Sequence, residues 1–286
     1  MSGILFYSVL IQCHDAKRLS FLFYLRFFFN KTIQRRTQLE FFSFIPGKYK
    51  IESLTAASFP GALRVIKEAF CQDEAVCRGT EIDKNPKAAE ELLELCADSA
   101  LDGVSLVAVE IATGNVVAVS FNKLQVKRPF FEVFAEERCS QESSKSLIKF
   151  MFDVDSRCNL FENVDCSLEI MFLATLREHR GLKLGTLLCQ YSVELARKLQ
   201  DGPVAKMTVA DLGPSYAKMP PRDPVTSRPR ICQAIWTGTM TQRIGKTLNF
   251  TVHLTVPFTE FEHDGKTYAD RIGEPGCFCE IAALVL

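Results

Sequence analysis

Apolar and polar positions along this chain change period several times, and each change marks an element. Tyr49-Lys50-Ile51-Glu52-Ser53-Leu54 alternates, as a half-buried strand does. Ser58-Phe59-Pro60 then opens a helix, with Ser58 as its cap and Pro60 in the first turn. Leu63, Ile66 and Phe70 share one face of it. A second amphipathic helix is expected from Glu81 to Ser99, around Leu92, Leu93 and Cys96. Two β-rich runs, Val104 to Glu110 and Val116 to Phe121, flank the hairpin signal Ala112-Thr113-Gly114-Asn115. From Lys123 to Val164 the pattern is polar and mixed, with a helix expected from Ser144 to Cys158.

The sharpest change of period runs from Leu168 to Leu199. Ile170-Met171-Phe172-Leu173-Ala174 is an apolar run that suits a buried strand. Polar residues follow from Arg177 to Gly181. Apolar residues then recur at Leu184, Leu187, Leu188, Tyr191, Leu195 and Leu199, one face of a helix. The turn between is Arg180-Gly181-Leu182-Lys183-Leu184-Gly185. Its glycines let backbone approach a ligand, and the helix start offers unpaired N–H groups and the positive end of the macrodipole. That combination favours a phosphate. The glycines follow neither the dinucleotide fingerprint nor the GxxxxGK[ST] phosphate loop. On these residues alone, an ordinary βα connection with solvated Arg180 and Lys183 is equally compatible.

Val204 to Val209 gives one more strand pattern. The proline-rich connection Gly213 to Arg230 is too long for a simple turn. Ile231 to Leu248 has the pattern of a helix, and Asn249 to Val256 that of a strand. Glu262 to Lys266 is a hairpin tip through Asp264-Gly265, and Cys279 to Leu286 is a closing strand. This order describes one mixed α/β domain over residues 48–286.

Composition narrows the function. Hydrophobic content of 47% with 24% charged residues is that of a soluble globular chain able to bury a core. Lys+Arg and Asp+Glu number 34 each, so a general nucleic-acid or membrane-surface role has no electrostatic support. An anion site must therefore be local. Eleven cysteines without a C-x-x-C argue against a zinc ribbon and a secreted disulfide framework. Core thiols in a reducing, cytoplasmic compartment are expected. The four histidines show no metal-ligand spacing, so no metal is expected. Leu19 to Phe29 is apolar but shorter than the ~20 residues of a spanning helix, so no membrane anchor is expected. Residues 1–47 are read as an extension outside the fold.

Arg180 to Gly185 is similar to the R/Q-x-x-G-x-G/A signature of the GCN5-related N-acetyltransferases, with Lys183 in place of the middle glycine. Phe70-Cys71-Gln72-Asp73-Glu74, Gln242 to Phe250, Thr255 to Phe261 and Asp264 to Tyr268 resemble the insect-type arylalkylamine N-acetyltransferase-like branch. The resemblance covers nearly everything after residue 48. It implies an α/β fold, a single acetyltransferase domain with a mixed central sheet of about seven strands flanked by helices. It also implies transfer of an acetyl group from acetyl-CoA to a small primary amine of the dopamine, serotonin, tryptamine or tyramine type.

Site residues follow from the same resemblance. The backbone of Arg180, Gly181, Leu182, Lys183, Leu184 and Gly185, with the Thr186 hydroxyl, would cradle the pyrophosphate. Leu173, Ala174 and Thr175 would run along the pantetheine. Lys183 preserves the cradle if its backbone is helical, whereas a positive φ there would compromise it. Glu74 is the expected base, its pKa raised by apolar neighbours such as Phe70; a solvated acidic helix end is the alternative. Gly245 stands where many acetyltransferases carry a tyrosine. Thr237 and Thr241, at i and i+4 of the expected helix, would orient substrate or relay a proton. His253 is expected to be a packed histidine. Phe59, Phe70 and Trp236 are candidate aromatic walls, and Tyr216 and Met219 of the proline-rich loop are candidate specificity residues. Transfer to a polyamine, use of a longer acyl-CoA, or a catalytically weak acyl-CoA-binding module are the alternatives. The residues leave the oligomeric state open.

Overall fold

Valine-rich and isoleucine-rich runs supply the strands, and their neighbours in the sheet decide how much of each is buried. The computed structural model describes residues 40–41 and 47–286, apart from 128–129, 159, 163, 204–205, 221–224 and 275. The expected extension, 1–47, lies outside the described residues except for 40–41 and Gly47. Leu39–Leu286 forms one compact unit.

The described strands of the main sheet are β1 (Glu40–Phe41), β2 (Tyr49–Ser53), β3 (Leu106–Glu110), β4 (Val116–Val126), β5 (Cys166–Thr175), β6 (Ile231–Trp236), β7 (Thr251–Pro257) and β10 (Phe278–Val285). Their order is β1-β2-β3-β4-β5-β6-β10-β7. Apart from the two-residue β1, these are the seven strands of the expected mixed sheet. Every neighbouring pair is antiparallel except β5 and β6. A small separate hairpin joins β8 (Glu262–His263) and β9 (Lys266–Thr267) through the expected Asp264-Gly265 tip.

Helices cover both faces. They are α1 (Phe59–Val65), α2 (Ala75–Gly79), α3 (Pro86–Ala100), α4 (Phe130–Arg138), α5 (Glu142–Arg157), α6 (Leu184–Lys198), α7 (Thr239–Thr247) and α8 (Tyr268–Ile272). Successive residues of β4 show the two layers. Asn122 donates to Ser192 of α6 at 2.8 Å, whereas Lys123 reaches Asp98 of α3 at 2.9 Å. With both faces covered, β4 is buried from Val116 to Gln125. Each fully buried aromatic or aliphatic side chain, such as Phe121 or Phe172, contributes roughly 1.5–3 kcal/mol.

Several expected elements take a different form. The first helix does not use Ser58 as a side-chain cap, because the Ser58 hydroxyl accepts from the Thr55 N–H. It runs on from α1 through a π-helical turn, Ile66–Phe70, to a last turn, Cys71–Asp73. The second helix begins at Pro86, not Glu81. Glu81 lies at φ 59, a 3-10 turn follows at Ile82–Lys84, and Asn85 then caps α3 by accepting from the Ala88 N–H. Strand β4 continues to Val126, and α4 occupies part of the stretch read as mixed.

The largest departure is Ile231 to Leu248. Its first six residues are strand β6, inserted between β5 and β10, and only Thr239–Thr247 is helical. The β-forming Ile-Cys-Gln-Ala-Ile-Trp run is recruited by its neighbours, which a periodicity count does not see. The strand expected at Val204–Val209 is absent from the described residues 206–208. There Thr208 and Asp211 form a capping box that starts a 3-10 turn, Val209–Leu212.

Candidate active site

One break in the sheet organises the site. Strands β5 and β6 pair only from Ser167 to Glu169 and from Ile231 to Gln233. Both strands run on past that point, β5 to Thr175 and β6 to Trp236, without a ladder between them. The sheet is thus parted between Ile170–Thr175 and Ala234–Trp236. Leu173, Ala174 and Thr175 stand on the β5 side of this opening, paired to Ser120, Val119 and Ala118 of β4.

Arg177–His179 is a 3-10 turn at the end of β5, and α6 starts at Leu184. The N–H groups of Leu184, Gly185 and Thr186 head the helix, where no intrahelical partner exists, and Lys183 makes no side-chain cap. Leu184 is buried and anchors the turn, while Gly181, Leu182 and Lys183 are exposed. A Cβ on Gly185 would meet Ile244 of α7 at 3.4 Å, so the helix start packs closely against α7.

Of the two backbone conformations weighed for Lys183, it takes the positive φ and not the helical one. It lies at φ 61, ψ 14, in the left-handed region, and Gly181 is at φ 76. The turn therefore has the conformation a glycine would take, although the residue is lysine. That conformation costs a non-glycine residue roughly 1–2 kcal/mol. The left-handed residue ends as the N-cap, its carbonyl accepts from Leu187 at 3.0 Å, and the helix behind it is intact.

Arg180 is already engaged. Its Nε donates to the Thr175 carbonyl at 3.0 Å and its other nitrogen to Asp73 at 2.6 Å. Arg177 makes a second pair of bonds to the same carboxylate. The Arg177 hydrogen bond, reinforced by Arg180, holds the Asp73 carboxyl below the usual range. The acidic dipeptide is thereby divided between two jobs, since Asp73 ties the first helix to the cradle turn.

Glu74 faces the other way. Its extended backbone (φ −70, ψ 142) ends the first helix, and its side chain caps α2 by accepting from the Cys77 N–H at 2.7 Å. The second oxygen accepts from the Thr237 hydroxyl at 2.6 Å. Two of the three expected catalytic residues, 163 positions apart, are thus in direct contact. Thr237 gets there from the loop after β6 and not from a helix, so the expected i, i+4 relation to Thr241 does not hold. Thr241 instead bonds the Gly238 carbonyl and N–H in a capping box at the start of α7.

The thiols beside Glu74 are buried. Burial, and then the Glu74 charge, push Cys71 up to about 12 and raise Cys77 well above the ordinary thiol value. Both shifts disfavour the thiolate. Phe70, from the π turn, packs edge-on against Phe172 of β5 at 5.3 Å, forming an aromatic wall beside Glu74. Phe59 is core, covered by Tyr216 of the proline-rich loop at 5.7 Å. His253 is exposed on the edge strand β7, not packed as expected.

Gly245 has a packing reason. The indole of Trp236 lies where its side chain would be, with Cδ1 and Cε2 3.0 Å from a built Cβ. Trp236 is 2% exposed and packs beneath α7. An open pocket of about 570 Å³ lies beside this helix, between Arg243, Lys246 and Glu280, and of the expected site residues it touches the candidate wall Trp236. Among the described residues no group of three metal-ligating side chains occurs, and no helix is long and apolar enough to cross a membrane.

The Asp73–arginine link and the Trp236–Gly245 contact were not anticipated from the sequence. Arg177 precedes the motif in a run of polar residues, and nothing in that run distinguishes a structural ion pair from solvated charge.

The parted strands, the turn at their end and the carboxylate across from it can be compared with known proteins. Arylalkylamine N-acetyltransferase 2 from Aedes aegypti superposes with a TM-score of 0.62 at 19% identity, over 83% of this chain and 98% of that one. The Drosophila melanogaster polyamine N-acetyltransferase, which forms N-acetylagmatine, superposes with a TM-score of 0.62 at 13% identity, over 83% and 100%. A mosquito arylalkylamine N-acetyltransferase-like protein, 5b, gives 0.59 at 11% identity, over 83% and 100%. The fold is that of the GCN5-related N-acetyltransferases. No protein-family model and no curated protein matches the sequence.

Within the acetyltransferase fold, sequence and structure agree on an α/β domain with a mixed sheet. They differ over Ile231–Leu248, whose first six residues are strand and not helix.

Proposed function

We propose that this chain is an acetyl-CoA-dependent N-acetyltransferase acting on a small primary amine. The observation that carries the reading is the Glu74–Thr237 hydrogen bond, made across the mouth of the β5–β6 opening in an acetyltransferase fold. Acetyl-CoA would supply the activated acetyl group. The backbone N–H groups at the head of α6 and the Thr186 hydroxyl suit its pyrophosphate, with Leu173 to Thr175 along the pantetheine. Glu74 takes a proton from the acceptor ammonium, and Thr237 holds the carboxylate in place. The freed nitrogen forms the new C–N bond as the C–S bond of the thioester breaks. The second proton that nitrogen sheds on becoming an amide passes through solvent to the thiolate and restores the thiol.

Direct transfer to the amine fits the burial of Cys71 and Cys77, which disfavours an acyl-cysteine relay at Glu74. Phe70, half-buried beside Glu74 and backed by the core Phe172, supports an arylalkylamine acceptor. Residues 48–286 would form the catalytic domain, and Thr241 would act as a helix cap more than as a proton relay.

Thiol release from acetyl-CoA, followed with a panel of arylalkylamines, polyamines and alkylamines, tests the proposal. Amine-dependent release is expected, fastest with an aromatic amine. Stabilisation by acetyl-CoA without release for any amine would replace the enzyme by a binding module.

A further inference from the structure

A row of polar side chains crosses the sheet at the point where the strands part. Lys123 pairs in register with Glu169, Gln125 with Ser167, and Glu169 with Gln233, so all five share one face. It is the α3 face, because Lys123 donates to Asp98 there. None is more than 5% exposed. Gln125 donates to Glu169 at 2.6 Å, but Ser167 Oγ and Gln233 Oε1 have no partner among the described residues. A buried amide oxygen without a donor is costly and unusual in a folded protein.

Location gives the orphan its meaning. Glu169 and Gln233 form the last rung of the β5–β6 ladder, hence the deepest point of the opening. Along β6, Gln233 and Ile235 lie on the same side, and Thr237 is the first residue past the strand. Gln233 stands four residues, about 13 Å at ~3.3 Å per residue, from the threonine that bonds Glu74. Between them Ile235 is half-buried, as is Met171 on β5, whose sulfur faces Ser99 of α3. The chemistry of the row favours a donor arriving from outside. The donors of the row are already engaged, Lys123 by Asp98 and the Gln125 amide by Glu169.

We propose that Gln233, with Ser167 beside it, reads the far end of the acceptor, accepting a hydrogen bond from a second donor group carried about 8–13 Å from the reacting nitrogen. A ring hydroxyl or a second ammonium both supply that chemistry. The inference rests on the amine-acceptor reading above and adds the residue that selects among amines. A site built around an unpaired acceptor discriminates strongly against an analogue lacking the donor.

Calorimetric titration of the full chain with matched amines tests it, using phenethylamine against tyramine and octylamine against a linear diaminooctane. In at least one pair the donor-bearing amine is expected to bind about 10-fold tighter or more, and the pair that does so identifies hydroxyl or ammonium. Q233M keeps the side-chain length and removes the acceptor, so that ratio is expected to fall to about one. S167A, a smaller change, should lower it partway if Q233M does not fold. Equal binding within both pairs, or a ratio unmoved by Q233M and S167A, overturns the inference while leaving the acetyltransferase reading intact. Amines that neither bind nor release thiol would overturn both.

Discussion

Glu74 and Glu169 are carboxylates at the two ends of the same opening, and they sit in opposite environments. Glu74 is half-buried at the mouth, with one donor on each oxygen, the Cys77 N–H and the Thr237 hydroxyl. Glu169 is 2% exposed at the base, bonded to Gln125 and facing the Asp155 carboxyl. Burial first, and Asp155 second, push the Glu169 carboxyl well above its ordinary range. A carboxylate at the mouth can exchange protons with substrate and water. One sealed in the sheet keeps its proton and contributes fixed hydrogen bonds. On the function proposed above, the difference separates a group placed for chemistry from one that shapes the opening.

The most damaging test of that contrast is Glu74→Gln. The amide retains the α2 cap, so folding should survive while kcat falls about 100-fold or more. Acetyl-CoA affinity should change little, as measured by calorimetry. Unchanged turnover would move the base elsewhere and dissolve the contrast.

Glu169→Gln should instead act on stability and its pH dependence. The folded carboxyl titrates above the unfolded one, so between the unfolded value of ~4.3 and the raised folded value the native state binds the extra proton. Stability is then fully present at low pH and is lost as pH rises through the folded pKa. Urea unfolding across pH should show that decline in the parent chain, on the order of 2 kcal/mol, and a flatter profile in the variant. A parent profile without the decline would mean that Glu169 is ionised where it is buried.

Lys183→Gly should stabilise the protein by about 0.5–1 kcal/mol, because glycine takes the left-handed backbone without strain. A loss of stability would mean that the lysine ammonium contributes more than its backbone costs. Asp73→Asn is expected to have the smallest effect on folding, less than about 1 kcal/mol, since Arg177 and Arg180 are 67% and 45% exposed. A larger loss in thermal unfolding would identify the Asp73 link as the anchor of the Glu74 loop.

Much of the frame was legible. Alternation gave β2, the Val-rich hairpin gave β3 and β4, and the change of period at Leu168–Leu199 gave β5, the turn and α6. These elements carry their own pattern in a local window. Ile231–Leu248 did not, because a short run buried on both faces looks alike in a strand and in a helix. The polar row escaped for a related reason. Lys123 and Gln125 alternate with Leu124 and Val126, and Ser167 and Glu169 with Leu168 and Ile170, which is the pattern of a sheet with one wet face. Only α3 and α5, arriving from elsewhere in the chain, turn that face into an interior.

By itself, then, the sequence determined the βα turn at Leu168–Leu199, the β3–β4 hairpin and the acidic dipeptide, all set by residues within a few positions of one another. Tertiary structure decided that Asp73 holds arginines while Glu74 meets Thr237, that Lys183 is left-handed, and that Gln233 is buried without a donor. Each of those depends on where distant strands stop pairing. Solvation and partnership of a polar group are properties of its neighbours in space, which local pattern does not encode.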